Sequence, residues 1–325
     1  MSDSPRRTLG GVLCPVVTPF TSDETIDREA FLANVRAHLA DGVHGIVVAG
    51  SSGEAALLDE DERGDLVAWA REAIPPERWL VAGCGGESTR IVVKRAREAA
   101  RRGADAILVV SPHYYLTAMT REALLAHFKR VADDSPLPVL LYNIPKYAHL
   151  TLEPALVAEL GKHDNIIGLK DSSGDLELLG KYVDLAQSDS FTVMTGSGTT
   201  FHPALQRGAR GGILAVALFA GQIATRIYEC AVGTGRTDGA TARRAQDLLT
   251  PLAAQIVNGL GVAGIKTALD QVGRHGGPRR SPCPCLTSRL LPFLCLCRYP
   301  KLRPNLISRL LLCLQPKLYS STAKK

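Results

Sequence analysis

A (β/α)8 barrel is the fold predicted for this chain, and three observations predict it. Eight short apolar runs recur along the first two thirds of its 325 residues. Each is nearly continuous in hydrophobicity instead of alternating, which suits strands buried on both faces of a parallel sheet. Amphipathic helical patterns separate the runs, and strand followed by helix eight times in about 220 residues is the arithmetic of a closed α/β barrel. A doubly wound open sheet would call for a glycine-rich phosphate turn after its first strand, and Cys14-Pro-Val-Val-Thr-Pro-Phe20 is no such turn.

The eight runs are Gly11–Val17, Gly45–Ala49, Leu80–Cys84, Ala106–Val110, Val139–Tyr142, Ile166–Lys170, Phe191–Thr195 and Gly212–Val216. Asp27 stands where it can cap a helix whose Phe31, Val35 and Leu39 recur every four residues. Leu66, Val67, Ala70 and Ile74 mark a second helix, stopped by Pro75-Pro76. Ser88 caps a third, with Val92, Ala96 and Ala99 inward and Gly103 beyond its end. Thr120–Val131, Leu152–Leu160, Leu176–Leu185, Thr199–Arg207 and Phe219–Val232 continue the alternation. Two further helical segments, near Ala240–Gln255 and Val262–Val272, are extra to the barrel, and Pro251 is expected to kink or divide the first. The expected organisation is a barrel over 1–235, a helical extension over 236–280 and an atypical tail over 281–325.

The formal net charge of +6 is misleading, because all 32 acidic residues lie at or before Asp270. Eleven of the 38 lysines and arginines follow Asp270, so residues 1–270 carry −5 and the last 55 carry +11. A nucleic-acid partner for the whole chain loses its support from charge. Residues 271–325 hold seven of the 19 prolines and five of the eight cysteines. Cys283-Pro-Cys285 and Cys295-Leu-Cys297 have C-x-C spacing with no histidine after them, a poor match to a zinc site. No clean amphipathic face is visible in the tail, which argues against membrane contact. Met1–Arg7 lacks the apolar core of a secretory signal, and no 18-residue window is wholly apolar. With sparse cysteines in apolar segments, a cytoplasmic location is expected.

Chemistry in such barrels is built at the C-terminal ends of the strands. The sixth run, Ile166-Ile167-Gly168-Leu169-Lys170, ends on a lysine followed by Asp171-Ser172-Ser173-Gly174. Poor solvation favours the neutral form of an amine, and a neutral amine beside a carbonyl substrate can form a Schiff base. The second run ends in Gly50-Ser51-Ser52-Gly53-Glu54. Two hydroxyls at a helix start, with free backbone N–H groups, suit a small carboxylate, although a plain helix cap is the commoner use. The fourth run leads to Ser111-Pro112-His113-Tyr114-Tyr115 and the fifth to Tyr142-Asn143-Ile144-Pro145. A rim tyrosine either packs with a satisfied hydroxyl or passes a proton when another hydroxyl relays it. Each feature alone has a bland explanation. Together, at one rim, a carboxylate pocket, a hydroxyl relay and a lysine are the parts needed to activate an α-keto acid.

Other chemistries fit less well. Gly50-Ser51-Ser52-Gly53 is not a nucleophile elbow, and Gly196-Ser197-Gly198 lacks the third glycine of a dinucleotide loop. The eight histidines show no metal-ligand spacing, so neither a metal nor a cofactor is expected.

Pro15–Phe20, Gly50-Ser-Ser-Gly-Glu54, Pro112-x-Tyr114-Tyr115, Tyr142-Asn-Ile-Pro145, Gly168-Leu-Lys-Asp-Ser172 and Gly276-Gly-Pro278 come in order at matching strand ends. With these motifs the chain resembles the dihydrodipicolinate synthase / N-acetylneuraminate lyase family of pyruvate-dependent class I aldolases, from about Gly11 to Pro282. The resemblance implies Lys170 as Schiff-base lysine and Tyr142 as proton-relay tyrosine. Ser51 would link Tyr142 to a Tyr114 contributed by a neighbouring subunit of a homotetramer, a dimer of dimers. Ser52 would hold the keto-acid carboxylate, and Ser172, Gly196 and Ile213 match positions lining the substrate. In the synthases an arginine follows the Tyr-Asn-x-Pro motif; here Tyr147 takes its place, after Lys146. Gly50-Ser-Ser-Gly-Glu54, Lys170-Asp-Ser-Ser-Gly-Asp175 and Gly261-Val-Ala-Gly-Ile-Lys266 look more like 4-hydroxy-2-oxoglutarate aldolases. Leu218 replaces an asparagine common after the eighth strand, and the tail replaces a final helix. The expected activity is cleavage of a 4-hydroxy-2-keto acid to pyruvate and an aldehyde, with glyoxylate the best guess. The alternatives are 4-hydroxy-tetrahydrodipicolinate synthase, which joins pyruvate to aspartate semialdehyde, and a non-catalytic keto-acid binder.

Overall fold

Eight parallel strands close on themselves in sequence order, with β8 hydrogen-bonded back to β1. The structure is a computed structural model and describes residues 8–232 and 238–283. The expectations placed on 284–325 therefore lie outside the described residues. The elements are β1 Gly11–Pro15, α1 Arg28–Ala40, β2 Gly45–Val48, α2 Glu60–Ala73, β3 Trp79–Gly83 and α3 Thr89–Arg101. Then come β4 Ala106–Val110, α4 Arg121–Asp134, β5 Val139–Asn143, a single turn α5 Pro145–Ala148, and α6 Pro154–Leu160. The barrel closes through β6 Ile166–Asp171, α7 Leu176–Ala186, β7 Thr192–Thr195, α8 Phe201–Gln206, β8 Gly211–Ile213 and α9 Ala217–Val232. α10 Gly239–Leu252 and α11 Gly261–Gln271 follow.

The apolar runs became strands because both of their faces are covered. Leu13, Val47, Val81, Leu108, Leu140, Tyr142, Met194 and Ile213 form one buried cluster inside the barrel. Residues of opposite parity, among them Val12, Ile46, Leu80, Ile107, Leu141, Leu169 and Val193, are fully buried on the helix side. The eighth run is only half a strand. It stops at Ile213, and Leu214–Val216 turn the chain into α9, with Ala217 N–H bonded to the Leu214 carbonyl.

Helix starts follow side-chain caps. The Asp27, Ser88 and Thr120 side chains accept from the N–H groups of Ala30, Ile91 and Ala123. Asp59 and Glu62 form a reciprocal capping box that starts α2, and Asp175 caps α7. Each such cap stabilises its helix by about 1 kcal/mol.

At Pro251 the chain remains helical but changes type. The α-helical pattern ends at Leu252, and Ala253–Leu260 continue as a π-helix until Gly261, whose φ of +61° permits a sharp change of direction. Residues Gly239–Gln271 together are long and apolar enough to cross a membrane, with mean hydropathy 1.5 in their most apolar window. Here the segment packs against α9 and carries a buried ion pair into the rim of the barrel, as described next.

Candidate active site

Lys170 lies on β6 in register between Tyr142 of β5 and Met194 of β7, so its side chain shares their interior face. Only 6% of the residue is exposed. Two positions earlier, a Cβ on Gly168 would collide with the Thr192 carbonyl and meet Leu140 Cδ1 at 3.0 Å. Glycine there lets neighbouring chain pack tightly beneath the lysine. Lys170 Nζ sits 4.2 Å from the centre of the Tyr142 ring. Among the described residues it makes no ion pair, although burying an ammonium without a counter-ion is a costly placement.

The end of β7 closes one side. Gly196 N–H bonds the Asp171 carbonyl at 2.6 Å. A Cβ at Gly196 would overlap Ser172 Oγ and stand 3.0 Å from Lys170 Cε. The structure thus brings Gly196, Ser172, Lys170 and Tyr142 together, with the side chain of Ile213 also in the barrel's interior cluster. Gly196→Ala is expected to displace Ser172 and the end of Lys170. A shift of that size lowers turnover on the order of 100-fold. Wild-type kcat/KM in this variant would mean that the β7 end is not on the reaction path.

The C-terminal end of β2 turns through Ser51–Gly53. Ser52 is buried and Ser51 half-buried, and neither hydroxyl bonds another protein group among the described residues. Thr18 Oγ1 donates to the Gly53 carbonyl at 2.7 Å, which ties the turn to the chain leaving β1. Glu54 follows in the left-handed region at φ 56°. Its carboxylate is buried and meets Lys266 Nζ of α11 at 2.6 Å. Lys266 also donates to the Pro278 carbonyl at 2.7 Å and lies 4.6 Å from the Phe20 ring centre. Arg280 N–H reaches the second Glu54 oxygen at 3.3 Å. The serine turn is therefore held from behind by α11 and the segment Gly276–Arg280.

A second network aligns β5 with β6. Asn143 Nδ2 donates to Asp171 Oδ1 at 2.7 Å, and its Oδ1 accepts from Leu152 N–H at 3.0 Å. Ser173 Oγ donates to the other Asp171 oxygen at 2.7 Å. Burial pushes the Asp171 carboxyl above the usual carboxylate range, against the opposing pull of Asn143 and Ser173. Asp171 points away from the barrel interior, so it orients the strand that carries Lys170 without pairing with the amine.

Tyr114 is placed differently. It is 76% exposed, and its ring packs edge-on against Tyr115 at 5.0 Å. Glu87 holds this loop by accepting from the N–H groups of His113 and Tyr114, both at 2.9 Å. Tyr147, in α5 just beyond Tyr142, stands half-exposed at the rim. Burial, and then the neighbouring Tyr142, raise its phenol pKa while Arg279 opposes them. Leu218 is buried in α9, and its carbonyl accepts from Arg274 at 2.6 Å. Among the described residues no group of three or more His, Cys, Asp or Glu side chains could hold a metal ion.

Residues 8–291 match the model of the dihydrodipicolinate synthetase family. The chain belongs to that family. It is a pyruvate-dependent carbon–carbon lyase of the Schiff-base-forming type. A DapA-like lyase of Halobacterium salinarum is 36% identical over 274 residues, 84% of this chain and 88% of the relative. The 4-hydroxy-tetrahydrodipicolinate synthase of Methanoculleus marisnigri is 33% identical over 84% of this chain and 92% of its own length. Among solved structures, YagE of E. coli, a prophage protein of the dihydrodipicolinic acid synthase family crystallised with pyruvate, superposes with TM-score 0.84 at 28% identity. That match covers 94% of this chain and 99% of YagE.

Within this family member, several groups have no simple sequence signal. Glu54 stands in the serine motif, but its partner Lys266 comes from the far end of the chain. Asn143 and Asp171 each adjoin a candidate residue, and only the strand register shows that they bond each other. Thr18 could have been suspected from its place at the end of the first run.

Proposed function

We propose that the enzyme cleaves a 4-hydroxy-2-keto acid to pyruvate and an aldehyde, with 4-hydroxy-2-oxoglutarate and glyoxylate the best-fitting pair. The observation that carries this reading is Lys170, a buried lysine with no counter-ion among the described residues, set against the ring of a buried tyrosine. The Lys170 amine adds to the C2 ketone, and the carbinolamine loses water to form an iminium. Tyr142 takes the proton of the C4 hydroxyl, relayed through Ser51 to Tyr114. The C3–C4 bond breaks, its electron pair enters the iminium, and the aldehyde leaves. The resulting enamine gains a proton at C3, and water hydrolyses the iminium to free pyruvate and Lys170. Ser52 holds the C1 carboxylate through its hydroxyl and backbone N–H, with Ser172, Gly196 and Ile213 shaping the pocket. No cofactor takes part.

Tyr114 reaches a relay only if a second subunit presents it, and its exposure in the single chain supports that arrangement. The proposed assembly is a homotetramer, a dimer of dimers.

Several relatives are named 4-hydroxy-tetrahydrodipicolinate synthase, which keeps condensation of pyruvate with aspartate semialdehyde as a second reading. Tyr147, without a guanidinium, favours the aldolase. Coupled pyruvate release separates the two. The expected result is higher kcat/KM for 4-hydroxy-2-oxoglutarate cleavage than for consumption of aspartate semialdehyde; the reverse order overturns the aldolase assignment.

A further inference from the structure

The loop that carries Tyr114 has little of its own to rest on. Tyr114, Tyr115 and Leu116 are 76%, 69% and 40% exposed, so none of the three anchors the loop in the core. The Tyr114 ring meets Tyr115, and its hydroxyl bonds no group of its own chain among the described residues. A hydroxyl that must be presented from such a loop needs its backbone tied down.

Glu87 is that tie. Its Oε2 accepts from the N–H groups of His113 and Tyr114, both at 2.9 Å. Its Oε1 lies 3.3 Å from His113 Nδ1, which also stands 3.1 Å from the Ser111 carbonyl. Both neighbours of that ring nitrogen are acceptors, so Nδ1 carries the proton and donates. Two consecutive N–H groups on one oxygen fix the peptide planes on either side of His113. They thereby set the direction in which the Tyr114 side chain leaves the backbone. The bonds are charge-assisted, the stronger class. Among the described residues no other side chain accepts from a backbone N–H between His113 and Thr117.

Glu87 is itself well placed to act as a fixed post. It lies between the end of β3 and the Ser88 cap, whose Oγ accepts from Ile91 N–H at 3.2 Å. Cys84 N–H bonds the Leu108 carbonyl at 3.0 Å, and Arg95 donates to the Gly85 carbonyl. A Cβ on Gly85 would run into Val110, so glycine there lets the β3–α3 connection close against the end of β4.

We infer that Glu87 is a positioning residue that aims Tyr114 into the site of a neighbouring subunit. This rests on the proposed relay, in which Tyr114 completes the path from Tyr142 through Ser51. Ser52 and Lys170 hold the keto acid, so a misplaced relay hydroxyl slows proton transfer without loosening substrate. The effect of losing Glu87 therefore falls on kcat and spares KM.

Pyruvate release from 4-hydroxy-2-oxoglutarate is followed for full-length wild type, Glu87→Ala, Glu87→Gln, Tyr114→Phe and the double variant Glu87→Ala/Tyr114→Phe, with assembly mass from analytical ultracentrifugation. Tyr114→Phe should lower kcat about 100-fold. Glu87→Ala should lower kcat about 10-fold with KM within about twofold of wild type. Glu87→Gln, which keeps one acceptor oxygen, should recover part of that loss. The double variant should lie within about twofold of Tyr114→Phe, because Glu87 acts only through that hydroxyl. All should keep the wild-type mass. Losses that multiply in the double variant overturn the inference, as does wild-type kcat in Glu87→Ala or no recovery in Glu87→Gln. A loss that falls on KM, or that accompanies a smaller assembly, overturns it too. The underlying readings fail differently: wild-type kcat in Tyr114→Phe defeats the relay, and a wild type that borohydride and pyruvate leave unlabelled defeats the aldolase.

Discussion

Lys170→Met is expected to lower pyruvate release by at least about 10⁴-fold, because the covalent route is removed and no other described amine occupies the barrel interior. The fold should survive. Methionine has nearly the same length as the lysine stem, and it replaces a buried amine that has no counter-ion among the described residues with a group suited to its neighbours Tyr142 and Met194. Circular dichroism and the thermal midpoint check this half of the prediction, with an unchanged or raised Tm expected. Turnover within tenfold of wild type would remove Lys170 from the mechanism, whatever its position.

The second large effect is on stability. Lys266→Met leaves Glu54 buried without its partner, and removing one member of a buried pair costs about 3–5 kcal/mol. For a domain of this size that corresponds to a Tm lower by roughly 10 °C. Glu54 directly follows the turn that presents Ser51 and Ser52, so KM for the keto acid should rise in the same variant. Replacing both partners, with Glu54→Gln added to Lys266→Met, should recover much of the lost stability, since no charge is then stranded. Urea unfolding of the two single variants and the double variant measures the coupling. If all three lie within about 1 kcal/mol of wild type, the pair does not hold the turn.

The barrel was legible because burial on both faces writes itself into composition: Val12 and Leu13, facing opposite sides, are both apolar, and the pattern recurs in β2 to β7. The caps at Asp27 and Ser88 were legible because their signal is local. The end of β8 was misjudged because Leu214–Val216 are as apolar as a strand but serve the turn into α9. Within the candidate site, Lys170 and Tyr142 could be placed from strand ends alone, and their register partnership confirms that they share a face. The Glu54–Lys266 pair could not be foreseen, because nothing local marks which distant lysine a buried carboxylate will meet.

Trapping pyruvate on the enzyme with borohydride, followed by peptide mapping, tests the central claim most directly. One covalent pyruvyl group on Lys170 is the predicted result, absent from Lys170→Met; an unmodified Lys170, or a label on another lysine, contradicts it.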